Sequence, residues 1–300
     1  MNKRILLSIV LLVSLATMSG CTVPLVNFEL AGTKDPVIVP QGTHTTLILD
    51  FKMGVGTITL SVNSTADYLA YIENEVSIRE GSGGTLEAAE EVSYTAQNAE
   101  TIKVEFDSQD EEIVTNYQYA IEIKVKNNIT LQIDFLDSTG EVSTSISDTT
   151  INIASLDIET STGPIALALE NVRFSDSSPI ITSSTGSHDF TLSNLNYSTL
   201  TSWTISTSTG NIDLDLADTL TPGSISRNYL FDISGSTGNI LMNADLHQDF
   251  GLKIDTSIST GDATIPGGGD SFTSTNFATA NQKYDFDLSV STGDITFSEG

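Results

Sequence analysis

The sequence predicts an all-β protein, with a C-terminal β-solenoid of about seven repeats behind an N-terminal β-rich cap or sandwich-like module. The first observation is a repeated tripeptide, and the second is the alternation of apolar and polar residues on both sides of it. The spacings between successive copies are 23, 23, 24, 28, 23 and 32 residues, and a period in this range is typical of solenoids, propellers and arrays. Ser-Thr-Gly ends at Gly140, Gly163, Gly186, Gly210, Gly238, Gly261 and Gly293.

The alternation around each copy is that of a strand with one buried and one wet face. In the last copy the apolar positions before the tripeptide are Tyr284, Phe286, Leu288 and Val290. Polar residues occupy every position between them, and Ile295 and Phe297 resume the alternation after the tripeptide. Each repeat therefore predicts two strands joined at Ser-Thr-Gly.

The tripeptide must turn the backbone, because the inward positions on its two sides are five residues apart. Thr207 and Ile212 are one such pair, and a straight strand would place them on opposite faces. The glycines listed above are predicted structural turn residues, since glycine reaches positive φ without steric cost. If the corners stack in register, Ile165, Ile212, Ile240 and Ile295 form an internal column.

Two architectures satisfy this turn. A four-residue hairpin loop would pair the flanking strands with each other, as in a meander or propeller. A corner between two sheets of a solenoid would instead direct both strands to equivalent strands of the next repeat. One copy is too short for a propeller blade of about 40–45 residues, which favours the solenoid, although pairs of copies could still make blades.

Residues 1–20 have the features of a signal peptide. Lys3 and Arg4 precede the apolar run Ile5–Ala16, which is too short to span a bilayer. The segment ending at Cys21 resembles a lipoprotein signal, although Met18 stands where such signals usually carry leucine. Cys21 is the only cysteine, and it is the predicted lipidation site; ordinary cleavage nearby, leaving a free thiol, is the alternative. The chain is thus expected to be exported and anchored to the outer side of a cell membrane.

Three further segments follow. Residues 21–36 are a predicted lipid-anchored tether, and residues 37–128 form an N-terminal β module with a degenerate first repeat at Gly56. Within that module the repeat is lost over an insert at 64–126, where a short helical turn near Thr85–Glu91 is also expected. Residues 129–300 form the Ser-Thr-Gly repeat region. The chain reaches its end directly after the last copy, so an uncapped terminal repeat is expected.

The charge of the chain limits its partners. Lys and Arg number 12 against 39 Asp and Glu, a net charge of −27. Nucleic acid is excluded as a partner, because binding to phosphates requires Lys and Arg. The expected partners are the membrane, through the N-terminal lipid, and a glycan, an envelope polymer or further copies of the chain.

No catalytic residue, metal ligand or cofactor site is predicted. The histidines His44, His188 and His247 lack ligand spacing, and no Gly-x-Ser-x-Gly elbow occurs between a strand and a helix. The carboxylate pairs Asp213/Asp215 and Asp285/Asp287 fit the wet side of a strand better than acid–base work. Calcium remains an alternative, since oxygen ligands suit it and Asn or Asp follows the turn glycine at Asn211, Asn239, Asp262 and Asp294. Formal N-glycosylation acceptors are Asn63, Asn128 and Asn196.

The pattern of alternating strand, Ser-Thr-Gly-[Asp/Asn]-Ile and second alternating strand resembles the "putative adhesin" family of β-strand-repeat (Ser-Thr-Gly repeat) envelope domains. The resemblance covers 129–300, with an echo at Gly54–Leu60. It implies an exported or anchored β-helical protein without established catalytic residues.

The function expected from the sequence is that of a non-catalytic cell-surface lipoprotein with a structural or adhesin-like binding role. An envelope carbohydrate-active enzyme on a parallel β-helix is one alternative, for which a groove of clustered Asp and Arg would be the sign. A self-polymerising surface scaffold, growing from the uncapped end, is the other.

Overall fold

The computed structural model describes residues 27–109, 116–175, 178–197, 201–220 and 227–299. The protein is all-β, with 68% strand, and its strands join into one continuous sheet that does not close. Within these ranges no helix is long and apolar enough to cross a membrane. The signal peptide and Cys21 lie outside the described residues.

The N-terminal strands are β1 (Phe28–Thr33), β2 (Val37–Pro40), β3 (Thr46–Val62), β4 (Tyr68–Arg79), β5 (Ser93–Ala96), β6 (Thr101–Asp107) and β7 (Tyr117–Val125). A single 3₁₀ turn, Leu86–Ala88, lies where the sequence predicts a helical turn. The first repeat strands are β8 (Thr130–Ser147), β9 (Asn152–Thr162), β10 (Ile165–Glu170), β11 (Arg173–Phe174), β12 (Ile180–Thr185), β13 (His188–Ser193) and β14 (Asn196–Tyr197). The last are β15 (Thr201–Thr209), β16 (Ile212–Asp218), β17 (Arg227–Thr237), β18 (Ile240–Leu246), β19 (Gly251–Thr260), β20 (Ala263–Thr264), β21 (Ser271–Thr273), β22 (Gln282–Thr292) and β23 (Ile295–Glu299).

The strands stack as parallel layers in close register. In the first layer of the repeat region β8 runs through the Gly140 corner as one strand, whereas in the later layers one strand ends before the Ser-Thr-Gly corner and another begins after it. β15 and β16, for example, pair with β12 and β13 below and with β17 and β18 above. Among the described strands, the two sides of a corner do not pair with each other, so the hairpin required by the propeller alternative is not what the structure shows.

The spatial order of the layers differs from their order in the sequence. β22 lies between β17 and β19, and β23 lies between β18 and β20. The last Ser-Thr-Gly copy is therefore inside the stack, and the preceding copy forms its end. The long connection between β20 and β22 allows this exchange, because it returns the chain across the terminal layer.

Both ends of the parallel stack are covered by antiparallel strands. At the C-terminal end β21 pairs with β19, and half-buried Phe272 packs against the core. The terminal layer thus carries a partial cap over Lys253–Asp255, where the sequence leaves an uncapped end open. Such pairing hides an edge that could otherwise recruit another chain.

The other end is built from the predicted insert. β6 and β7 pair in parallel with the two halves of β3, so they form the first layer of the stack. β4 then pairs antiparallel with β7, and β1 and β2 cover the far edge of β4. Part of the predicted tether is thus strand β1, because β4 offers it an open edge. One hydrophobic core runs through the module and the repeats.

The turn glycines form a single column in the stack. The order of this column is Gly56, Gly140, Gly163, Gly186, Gly210, Gly238, Gly293 and Gly261. A Cβ added to Gly238 would lie 1.9 Å from the carbonyl oxygen of Gly210, and one added to Gly293 would lie 1.8 Å from that of Gly238. The corners approach too closely for any side chain at this position.

The interior consists of columns of side chains in register. Ile165, Ile212, Ile240 and Ile295 are each at most 1% exposed, and Ile240 lies beside both Ile212 and Ile295. His188 separates Ile165 from Ile212, so the column is not continuous. A second column is aromatic, with the Trp203 and Phe231 rings 5.7 Å apart and the Phe231 and Phe286 rings 5.1 Å apart.

Candidate functional site: an arginine–asparagine groove

The asparagine and aspartate side chains after the turn glycines are used by the fold. The backbone N–H groups of Asn239, Asp294 and Asp262 donate to the Oδ1 atoms of Asn211 (2.9 Å), Asn239 (2.9 Å) and Asp294 (3.0 Å), respectively. Each side chain therefore ties one layer to the next. No group of three or more His, Cys, Asp or Glu residues in the described ranges could hold a metal ion. These contacts give Asn211, Asn239 and Asp294 a structural role in the stack.

The three histidines lie apart. His247 Nδ1 lies 3.7 Å from an oxygen of Asp249, its near neighbour in the chain, and His188 has a serine neighbour. Ser183 Oγ lies 3.1 Å from His188 Nε2, across the corner of one layer. His188 is 1% exposed and Ser183 is 7% exposed, and Ser183 Oγ also donates to Thr207 Oγ1 at 3.0 Å. Burial lowers the pKa of His188 to about 4. The pair is a polar contact inside the stack, which a substrate cannot reach.

Asp137 is a third buried polar group at a corner. It is fully buried, and its Oδ1 atom accepts the backbone N–H of Thr139 at 3.1 Å. Its Oδ2 atom has no hydrogen-bond partner. Burial raises the pKa of this carboxyl to about 8, against a smaller opposing effect of the Thr139 hydrogen bond. The carboxyl is therefore neutral at physiological pH and closed to ligands.

The carboxylates on the outer faces form ladders. Asp189 and Asp213 are in register on β13 and β16, and Asp215 follows on the same face. Partial burial raises the pKa of Asp213, and the neighbouring Asp215 and Asp189 raise it further. In the pair Asp285/Asp287, Asp285 forms an ion pair with Lys253, with an N–O distance of 3.2 Å. These arrangements are a solvated acidic surface, as the sequence indicates.

A polar groove of about 550 Å³ crosses the start of several consecutive layers. Thr130 lies beside Asn152, Asn152 beside Arg173, and Arg173 beside Asn196, each on adjacent strands. Arg227 is the first residue of β17, which lies two layers from the layer of Arg173. The lining is completed by Ser175 and Tyr197. Because adjacent strands lie about 4.8 Å apart, a separation of two layers places the backbones of the two arginines at least about 10 Å apart.

The two arginines differ in how far their side chains are exposed to solvent. Arg173 is exposed, and Arg227 is half-buried next to the Tyr229 hydroxyl. Burial raises the pKa of Tyr229 to about 12, and the Arg227 guanidinium opposes that rise. Among the described residues neither arginine forms a salt bridge. Guanidinium groups are suited to bidentate binding of carboxylate and phosphate groups.

A second cavity of about 360 Å³ lies in the N-terminal module between β4 and the 3₁₀ turn. Its base includes Asn74, which is 3% exposed and whose Oδ1 atom has no partner. Lys34 lies at its rim and pairs with Glu91 at 3.0 Å. Since its cation is already paired, this cavity presents weaker recognition chemistry than the groove.

The groove was not predicted from the sequence. Arg173 and Asn196 each lie ten residues after a turn glycine, Gly163 and Gly186, and this shared position was the available signal. Asn152 and Arg227 follow at other offsets because the connections that lead to β9 and to β17 are longer than the one from β10 to β11. One predicted glycosylation acceptor, Asn196, lies in the groove and is exposed.

Fold and groove together define an all-β protein of stacked parallel strands with a polar groove on one side. No family model matches the chain, and no curated protein matches it. Among solved structures it is similar to a "putative cell adhesion protein" from Clostridium sporogenes ATCC 15579, with 13% identity and a TM-score of 0.37 over 89% of this chain and 100% of the other.

Two further solved structures are similar to the chain, and both are named "putative adhesin". The one from Parabacteroides merdae ATCC 43184 has 10% identity and a TM-score of 0.27, over 91% of this chain and 96% of the other. The one from Parabacteroides distasonis ATCC 8503 has 9% identity and a TM-score of 0.22, over 89% and 96%. These names agree with the resemblance of the repeat, but similarity at this level establishes neither a family nor a function.

Proposed function

We propose that this protein is a non-catalytic cell-surface lipoprotein with an adhesin-like role, which binds a glycan or envelope polymer along the side of a β-solenoid. The stacked layers of the repeat region would form that solenoid, and the lipid on Cys21 would hold it at the outer side of the membrane. The charge of the chain keeps nucleic acid out of this proposal.

The groove is the observation that supports binding over catalysis. Its described lining residues carry guanidinium, amide and hydroxyl groups, which bind polar ligands, and include no carboxylate or histidine. A glycoside hydrolase requires a pair of carboxyl groups, and general acid–base catalysis requires a group that titrates near the working pH. The described lining of the groove thus supplies groups for binding a polar ligand, which supports the binding role.

The binding role is tested with a glycan array probed with the full chain in a non-ionic detergent. We expect binding to at least one class of glycan, together with a monomeric chain in sedimentation, because both ends of the stack are covered. Fibres that form as concentration rises would support the scaffold instead. Release of sugar from a bound glycan would support the enzyme.

The anchor is tested by replacing Cys21 with serine. We expect the Cys21→Ser protein to leave the membrane fraction, because no other cysteine can carry the lipid. Fractionation of cells, followed by a high-salt wash of the membranes, measures this. A variant that stays in washed membranes would show that the anchor lies elsewhere in the chain.

A further inference from the structure

We propose that the groove recognises an acidic polysaccharide, through Arg173 and Arg227 acting on two of its carboxylate or sulfate groups. This inference rests on the proposed binding function and adds the chemical class of the ligand. The chain has a net charge of −27, yet two of its few basic side chains line the same groove.

Residues 129–300 contain four basic side chains, namely Arg173, Arg227, Lys253 and Lys283. Lys253 is neutralised by Asp255 at 2.6 Å and Asp285 at 3.2 Å. Lys283 lies over the ring of Phe277, 5.1 Å from its centroid. The two arginines have no carboxylate partner among the described residues, and both line the same groove. Two of the four basic side chains of the repeat region thus line one groove.

The groups between the arginines suit sugars. Asn196 lies in the layer between them, and Asn152 and Thr130 continue the groove on the other side of Arg173. Amides donate and accept hydrogen bonds, as sugar hydroxyls require, and guanidinium groups bind carboxylate or sulfate in a bidentate manner. Arg227 is half-buried, and its guanidinium opposes the rise in the pKa of Tyr229.

The spacing of the charges selects against denser polyanions. Duplex DNA carries one charge per about 1.7 Å, whereas the two arginines are two layers, at least about 10 Å, apart. A dense polyanion would carry excess negative charge, which the acidic ladders on the outer faces of the strands, such as Asp189 and Asp213, would repel. Screening over about 8 Å at physiological ionic strength weakens the repulsion from distant carboxylates but leaves contacts inside the groove. A polysaccharide with one acid group every one or two sugars fits both conditions.

Calorimetric titration of the full chain in a non-ionic detergent at 0.15 M salt tests this inference. The probes are galacturonate oligomers, chondroitin sulfate oligomers and a neutral malto-oligosaccharide of matched length. We expect an acidic oligomer to bind and the neutral one to bind at least about tenfold more weakly, since each charge-assisted contact is worth about 1.4 kcal/mol or more, which is tenfold in Kd.

The variants are Arg173→Gln, Arg227→Gln and the double variant, with Lys283→Gln as the control that removes an equal charge outside the groove. Each groove variant should weaken binding of the acidic oligomer about tenfold, and the control should not. Thermal unfolding of every variant shows whether the fold is kept. Equal weakening by Lys283→Gln would overturn the inference, because binding would then follow net charge alone.

Different results would contradict the acidic ligand class and the binding function. Binding of a neutral glycan that ignores both arginine changes would overturn the acidic ligand and leave the binding function standing. If no glycan of either kind binds, both the ligand class and the binding function fail.

Discussion

Replacing Gly238 by alanine is expected to lower the free energy of unfolding by at least about 4 kcal/mol, a loss comparable with the whole stability of many domains. The added Cβ would lie 1.9 Å from the Gly210 carbonyl oxygen, and the backbone at Gly238 has φ of +135°. Neither problem can be relieved by a rotamer change, because both involve backbone. The layers would have to separate at this corner, which would also break the bond from the Gly238 N–H to the Thr292 carbonyl.

Gly235→Ala is the matched control, three residues earlier on the same strand. A Cβ at Gly235 would meet Val290 Cγ2 at 3.7 Å and the Thr207 carbonyl oxygen at 4.0 Å, which are ordinary contacts. The adjacent layers carry Thr207 and Val290 at the same position, so a side chain fits there. Denaturant unfolding of both variants measures the contrast. Similar stabilities for Gly238→Ala and Gly235→Ala would contradict the close approach of the corners.

Replacing Asp137 by asparagine is expected to stabilise the protein at neutral pH. Burial raises the pKa of Asp137 from 3.8 to about 8 in the folded protein. Between these two values the unfolded chain releases its proton while the folded protein keeps it, so stability falls as pH rises from about 4 to about 8. Below this window both states are protonated and the carboxyl has no effect of this kind. At pH 7 the penalty is on the order of 4 kcal/mol.

Asparagine keeps the shape of the protonated acid but has no acidic proton to release. The Asp137→Asn protein should therefore match the parent near pH 4 and exceed it by a growing margin up to pH 8. His188 acts in the opposite direction, since its pKa is lowered from 6.5 to about 4 and stability is lost as pH falls through that range. Asp137→Asn should leave this His188-dependent loss of stability at low pH unchanged.

Exposed Asp245 provides the control, because Asp245→Asn removes the same charge from the surface of β18. Chemical unfolding at half-unit steps between pH 4 and 8 measures both differences from the parent. A stability gain for Asp137→Asn that is equal at all pH values, or that matches the gain for Asp245→Asn, would show that Asp137 ionises normally in the folded protein.

The local structure of this protein followed from its sequence. Alternation placed Tyr284 and Phe286 inside and Asp285 outside, and the five-residue spacing at Ser-Thr-Gly required a corner with both flanks directed inward. These inferences depend only on neighbours in the chain, where side-chain direction is fixed by backbone geometry. They succeeded even at Gly56, in a repeat that retains little more than its glycine.

The order of the layers and the location of the groove were decided by tertiary structure alone. The sequence does not show that β22 inserts between β17 and β19, because equivalent repeats offer nearly equivalent partners and only the long connection and the β21 cap select one order. Nor does it show that β6 and β7 continue the stack without a Ser-Thr-Gly copy. Arg173 and Arg227 are 54 residues apart, and they meet because stacking converts a long separation along the chain into two strand spacings.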